Sequence, residues 1–258
     1  MKDLELYGVT LAGPAPEPSM NEWINLKTAR GPVQAWRAQP AGTPRGGLVV
    51  VQEIFGVNAH IRSVAERFAG EGYLVLAPAF FDLVEADVQL DYGPDESLRG
   101  RELATEVGMD AAVEVVSGAA ERLRDELGEA LESPHMDVRA VAGDSHDVGC
   151  IGYCWGGTVA LRAAQVLALP SVSYYGARDL PFLDQSLRAP VMFHFGENDP
   201  SIPPEAVQAH RDKLPNMPIF TYPAKPAFNR DASPDHYDAP SAALAWSRSL
   251  DFLREHVG

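Results

Sequence analysis

The chain has 258 residues, 46% of them hydrophobic, so it can bury a full core, and we expect one domain over residues 1–258. A formal net charge of −15 opposes attraction to nucleic acids or anionic membranes, so neither is expected as a partner. Two cysteines make no disulfide framework, and the first residues contain no signal-peptide core, so a cytoplasmic location is predicted. The sequence leaves the oligomeric state open.

The first elements predict a sheet with an antiparallel edge. Residues 31–40 alternate apolar and polar side chains, which indicates a half-exposed strand that pairs with residues 22–28 as an edge hairpin. Residues 47–52 ("GLVVVQ") and 73–78 ("YLVLAP") are continuous apolar runs, typical of parallel strands covered on both faces. Helical spacing over residues 61–70 between them completes a right-handed βαβ unit.

The rest of the chain continues the alternation of strands and helices. Residues 80–101 are acidic and have no clear period, so we interpret them as a surface excursion that could roof a site. A long helix is predicted next, over residues 103–131, followed by a polar loop to Asp147. The remaining predictions are strands at 148–153, 171–175, 191–195 and 219–222, and helices at 157–167 and 241–257. The fold class is therefore α/β, with a mostly parallel central sheet flanked by helices.

A cysteine stands where this alternation places a sharp strand-to-helix turn. Residues 152–156, "GYCWG", match the pattern G-x-S-x-G with Cys154 in the nucleophile's place. The glycines are expected because a Cβ there would strike the neighbouring strand or helix, and the helix N-terminus favours a thiolate. Two alternatives remain open: a buried structural cysteine, and a redox pair with Cys150.

With this elbow, the chain resembles the dienelactone hydrolase family of α/β-hydrolases, which use a Cys, Asp, His triad. The resemblance runs from residue 22 to the C-terminus and rests on "VVVQEIFGVNAHIRSVAERFAGEGYLVLAP" and "GYCWGG". It implies that Glu53 takes part in activating the thiol and that the backbone N–H groups of Ile54 and Trp155 form the oxyanion hole. It also implies that Asp199, in "VMFHFGENDPSIPP", is the triad aspartate, for which a plain turn residue is the alternative.

The triad histidine is missing from its place. The family motif Y-x-A-G-H-x-F reads "YPAKPAF" here, so Lys225 and Pro226 stand where Gly and His belong. Proline cannot take a proton, which predicts impaired or atypical turnover, and the sequence does not decide whether this pair is the natural one. We considered other histidines: His236 as a replacement base, His60 at the pocket mouth, His194 as a core residue, and His146 in a charged loop.

The resemblance also bears on the substrate, a small ester or lactone. It implies that Arg230 holds a substrate carboxylate, although a solvated surface arginine is an equal alternative. The family's second carboxylate-binding arginine corresponds to Leu83, which favours a smaller or more apolar substrate near Phe81. No cofactor and no metal are expected. Two other functions remain open, a non-catalytic small-molecule-binding protein and a thiol redox protein.

Overall fold

Eight strands form one sheet. The computed structural model of the protein describes residues 21–131 and 148–258. The strands are β1 (Glu22–Thr28), β2 (Gly31–Ala38), β3 (Gly46–Val51), β4 (Tyr73–Pro78), β5 (Val148–Tyr153), β6 (Ser171–Tyr174), β7 (Val191–Gly196) and β8 (Ile219–Tyr222). Their spatial order is β1-β2-β4-β3-β5-β6-β7-β8. The pairs β1–β2 and β2–β4 are antiparallel and every later pair is parallel, which confirms the predicted edge hairpin and mostly parallel sheet.

Helices cover both faces of this sheet. They are α1 (Ala59–Gly70), α2 (Pro94–Leu131), α3 (Trp155–Val166), α4 (Pro204–Lys213) and α5 (Ala239–His256). Alternate residues of β3 enter separate apolar clusters: Leu48 and Val50 pack with α1 and α5, whereas Val49 and Val51 pack with α2. This alternation explains why β3 is apolar throughout, since neither face meets water.

The long helix α2 begins earlier than the sequence predicts. It starts at Pro94, inside the stretch 80–101 that we interpreted as an excursion without regular structure, and it breaks at Gly108, where φ is 71°. The break shifts the phase of the apolar positions, so the two segments share no single period. Earlier in the same stretch, Phe80–Leu83 forms a short 3₁₀ helix whose two phenylalanines are buried. The prediction of an irregular stretch is therefore wrong over these residues.

Helix α4 is absent from the predicted elements as well. Only Ala206, Val207 and His210 of its ten residues are buried, so its apolar stripe is too narrow to stand out in the sequence. The first residues, for which we predicted no signal-peptide core, lie outside the described residues. The predicted polar loop to Asp147, which includes His146, lies outside them as well. Within the described ranges, no helix combines the length and apolar character needed to cross a membrane.

Candidate active site

Cys154 occupies a strained turn between β5 and α3. Its backbone adopts φ 54° and ψ −115°, a left-handed conformation that residues with a Cβ rarely adopt. The turn is held on both sides: the Cys154 N–H donates to the Tyr174 carbonyl at 3.0 Å, and the Cys154 carbonyl accepts from the Gly157 N–H at 2.9 Å. The side chain is partly buried and follows the carboxyl end of β5, as the predicted elbow requires.

The flanking glycines are required by close backbone contacts. A Cβ on Gly152 would lie 1.8 Å from the Gly156 carbonyl oxygen, and one on Gly156 would lie 2.5 Å from the Gln52 carbonyl oxygen. Both neighbours are backbone atoms that cannot move aside. The steric reason given for these glycines from the sequence is therefore confirmed.

The Cys154 thiol is protonated at rest. Burial raises its pKa to about 12, and the nearby carboxylates of Glu53 and Asp199 act in the same direction. The Trp155 backbone N–H, which hydrogen-bonds the sulfur, and the Arg230 guanidinium oppose this rise without cancelling it. The expected preference of the helix N-terminus for a thiolate has the predicted direction, since the Trp155 N–H lowers the pKa, but burial outweighs it.

Glu53 and Arg230 form a buried ion pair beside the thiol. One Arg230 amino group, Nη1, lies 3.3 and 3.2 Å from the two carboxylate oxygens of Glu53. Glu53 is 1% exposed and Arg230 is 7% exposed. The alternative of a solvated surface arginine is therefore wrong, and the carboxylate expected to activate the thiol is paired with the group expected to bind substrate.

Aromatic side chains cover this ion pair. The Arg230 guanidinium lies 4.0 Å from the ring centroid of Tyr92 and 5.6 Å from that of Phe55. The Tyr92 hydroxyl accepts a hydrogen bond from Asn58, the residue that caps α1. Tyr92 belongs to the stretch 80–101, so this stretch does roof the site, as the sequence suggested, although much of it is helical.

The two residues predicted for the oxyanion hole lie on either side of the elbow. Trp155 directly follows Cys154, and its ring is packed by Phe80 and Phe81 at centroid distances of 5.6 and 6.1 Å. Phe81 is 1% exposed, so it supports Trp155 from behind. Ile54 follows Glu53, and its carbonyl oxygen would lie 1.9 Å from a Cβ on Gly100, which shows how closely α2 holds this loop.

Asp199 lies after β7, on the same sheet edge as the cysteine. It is 6% exposed, and its Oδ1 accepts a hydrogen bond from the Ser201 N–H at 2.8 Å. Burial raises the pKa of its carboxyl, and hydrogen bonds from Ser201 and the charge of His236 partly oppose that rise. The residue therefore forms the local turn that one interpretation gave it, and its role as the triad aspartate stays a prediction.

The loop after β8 brings Pro226 to this region together with a histidine. The Asn198 N–H donates to the Ala224 carbonyl at 3.0 Å, which ties the loop to the segment of Asp199. His236 Nδ1 lies 2.9 Å from the Pro226 carbonyl oxygen. Sequence reasoning did not favour His236 over the other candidate histidines. Its imidazole nevertheless lies beside position 226, where the family histidine is missing.

The other two described histidines that we considered have different surroundings. His194 is fully buried, and its ring nitrogens contact the Tyr222 hydroxyl at 2.8 Å and the Ser249 hydroxyl at 3.0 Å. Burial lowers its pKa to about 3, as befits the core residue predicted. His60 is also buried and lies 3.4 Å from Asp231, with neither ring nitrogen in a hydrogen bond. It lies within electrostatic range of Glu53, and its place at the pocket mouth stays a prediction.

The redox alternative finds no geometric support. Cys150 is fully buried within β5, where burial raises its thiol pKa, and both cysteines are free. Four residues of extended strand separate Cα atoms by about 13 Å. A disulfide needs a separation of no more than about 7 Å, so Cys150 and Cys154 cannot pair without unravelling the strand.

Comparisons with known proteins identify the family of this chain. The family model described as the dienelactone hydrolase family matches residues 33–257. A protein of Escherichia coli strain K12, provisionally named a carboxymethylenebutenolidase, is 31% identical over 244 residues, covering 87% of this chain and 83% of that protein. Carboxymethylenebutenolidase 1 of Cupriavidus pinatubonensis is 28% identical over 226 residues, covering 85% and 90%.

A solved structure has the same architecture. A Klebsiella pneumoniae protein provisionally named a dienelactone hydrolase superposes with a TM-score of 0.77 at 26% identity, covering 93% of this chain and all of that one. The chain therefore belongs to the dienelactone hydrolase family, a family of hydrolases with the α/β-hydrolase fold.

Proposed function

We propose that this protein hydrolyses small carboxylic esters or lactones, with Cys154 as the nucleophile. The observation that carries the proposal is the left-handed backbone of Cys154. Its sulfur accepts a hydrogen bond from the Trp155 N–H, and Glu53 and Asp199 lie within electrostatic range of it. Relatives with the name carboxymethylenebutenolidase support an ester-type bond as the target. A strained turn is retained where it serves function, and here it exposes one thiol at the sheet edge.

In the proposed acylation step, the Cys154 sulfur attacks the substrate carbonyl carbon. The thiol must lose its proton as the new C–S bond forms, because its raised pKa leaves it neutral beforehand. Glu53 is the carboxylate placed to receive that proton. The carbonyl oxygen becomes an oxyanion, which the N–H groups of Ile54 and Trp155 stabilise. The ester C–O bond then breaks, and the departing alkoxide takes the proton from Glu53 and leaves as the alcohol.

Arg230 links the charge of the substrate to the ability of the Glu53 carboxylate to accept the thiol proton. A guanidinium binds a carboxylate well, and Arg230 is now engaged by Glu53 alone among the described carboxylates. A substrate carboxylate that takes over Arg230 would release Glu53 to accept the thiol proton. Esters that carry a carboxylate are thus expected to acylate faster than neutral esters of equal size, although Leu83 offers no second cation.

The experiment is stopped-flow hydrolysis of p-nitrophenyl acetate, followed by intact-protein mass spectrometry. We expect a burst of nitrophenolate and an acetyl adduct that maps to Cys154. Cys154→Ala should abolish both. The matched control is Cys150→Ala, a small change on the far side of the turn, which should retain the burst.

A non-catalytic binding protein is the second candidate, favoured by Pro226 at the base position. It predicts saturable binding of the ester with no acyl adduct in the unmodified protein and none in Cys154→Ala. That result would replace the hydrolase proposal. An adduct on Cys154 would exclude the binding protein.

A further inference from the structure

His236 is held beside Pro226 by a hydrogen bond that sets its tautomer. Its Nδ1 lies 2.9 Å from the Pro226 carbonyl oxygen. A carbonyl oxygen only accepts, so Nδ1 must carry the hydrogen. In the neutral ring, Nε2 is then left with a free lone pair, which is the state a general base requires.

The segment of His236 is fastened to the loop after β8 at several points. Lys225 Nζ donates to the Asp235 carbonyl at 3.1 Å, and the Asp238 N–H donates to the Phe228 carbonyl at 2.9 Å. Arg230 Nε donates to the Ser233 hydroxyl at 3.0 Å. These contacts fix the chain on both sides of His236 and so hold its imidazole beside Pro226, although ten residues separate the two.

Asp199 complements this imidazole electrostatically. The charge of His236 acts on the Asp199 carboxyl and opposes the rise in its pKa that burial causes, so the imidazole lies within electrostatic range of that carboxylate. A nearby carboxylate stabilises the imidazolium that forms when a base takes up a proton. In the family pattern the triad aspartate both orients the imidazole ring and stabilises its positive charge. Here the Pro226 carbonyl orients the ring, and Asp199 is placed to stabilise the charge.

We infer that His236, contributed by the segment before α5, is the general base of the hydrolase in place of the histidine absent at position 226. The inference rests on the function proposed above. In deacylation, Nε2 takes a proton from water as the water oxygen bonds to the thioester carbonyl carbon. The C–S bond then breaks, the acid is released, and the proton returns from the imidazolium to the Cys154 sulfur.

His236→Asn is the variant that separates catalysis from structure. The asparagine amide can still donate to the Pro226 carbonyl from the place of Nδ1, but it cannot act as a base. We expect the nitrophenolate burst to stay within about twofold and steady-state turnover to fall by about 100-fold or more. Intact-mass spectra should then show the acetyl adduct on Cys154 persisting.

The pH profile gives a readout that a structural role would not move. The charged groups on the loop of residues 223–238 that holds His236 are Lys225, Arg230, Asp231, Asp235 and Asp238, and those on the segment after β7 are Glu197 and Asp199. Steady-state turnover of the unmodified protein should rise with pH as the general base loses its proton, and His236→Asn should lose that limb of the profile. Added imidazole should restore turnover in His236→Ala, which leaves space for the free base.

A relocated base offers an independent check. Lys225→Gly with Pro226→His restores the family motif and should raise the turnover of His236→Asn. Unchanged turnover in His236→Asn would overturn the inference while leaving Cys154 as nucleophile. A loss that tracks a lowered Tm and is not rescued by imidazole would also overturn it. Absence of any adduct in the unmodified protein would instead overturn the proposed function, and this inference with it.

Discussion

The elbow around Cys154 and the loop after β8 carry complementary chemistry but are held in different ways. At the elbow, glycines allow backbone atoms to approach so closely that no side chain could be added. In the loop, side chains add to backbone hydrogen bonds such as that from the Asp238 N–H to the Phe228 carbonyl: Lys225 and His236 each hydrogen-bond to a backbone carbonyl. A nucleophile placed by backbone packing cannot be moved to another position. A base placed by side-chain contacts can come from another residue.

The largest effect is expected where the elbow is broken. Gly152→Ala places a Cβ 1.8 Å from a backbone oxygen, so the strand or helix must shift, and we expect a loss of about 4 kcal/mol or more in the free energy of unfolding. Urea denaturation measures it. Gly128→Ala is the matched control, because its Cβ meets nothing within 4 Å on an exposed turn of α2. That variant should be more stable by about 1 kcal/mol; equal effects of the two would contradict the steric account.

The ion pair between Arg230 of the loop after β8 and Glu53, which follows β3, should have the next largest effect. Arg230→Met leaves the Glu53 carboxylate buried without a partner, at an expected loss of about 3–5 kcal/mol in the free energy of unfolding. Adding Glu53→Gln should recover part of that loss, because the buried charge is gone. A double-mutant cycle by urea denaturation tests this. Purely additive losses would mean that the pair contributes no coupling.

A smaller effect per pH unit is expected beneath the loop, at β7. The pKa of His194 is about 3 in the folded protein against an ordinary value of 6.5, so the unfolded chain binds the extra proton between these values. Stability from this residue is complete above pH 6.5 and is lost as the pH falls toward 3, by up to about 1.4 kcal/mol per pH unit. His194→Asn should flatten the dependence of unfolding free energy on pH over that range. An unchanged slope would assign the acid sensitivity to other groups.

The smallest effect is expected from Lys225, which stands at the family's glycine position. Lys225→Ala removes one exposed hydrogen bond to the Asp235 carbonyl, so Tm should fall by no more than about 2 °C. Differential scanning calorimetry is sensitive enough to detect it. Lys213→Ala, which removes another exposed contact far from the loop, is the control. A much larger loss in Lys225→Ala alone would mean that this lysine organises the whole loop.

The buried strands could be predicted because a strand covered on both faces is apolar at every position. Strand β4 and strand β5 match their predicted bounds for this reason. The bounds of helix α2 were harder to predict, because the break at Gly108 divides its apolar pattern into two phases. Helix α4 buries too few residues to leave a recognisable stripe. Periodicity reports burial, and it fails where burial is interrupted or slight.

Within the site, the sequence by itself determined the turn at Cys154 and the approach of its glycines, because these depend on neighbours in the chain. It could not decide that Arg230 would pair with Glu53, 177 positions away, or that Tyr92 would cover both. It also could not choose among the histidines. Only the tertiary structure brings His236 to Pro226, because that contact depends on how two segments of the loop fold onto each other and onto β7.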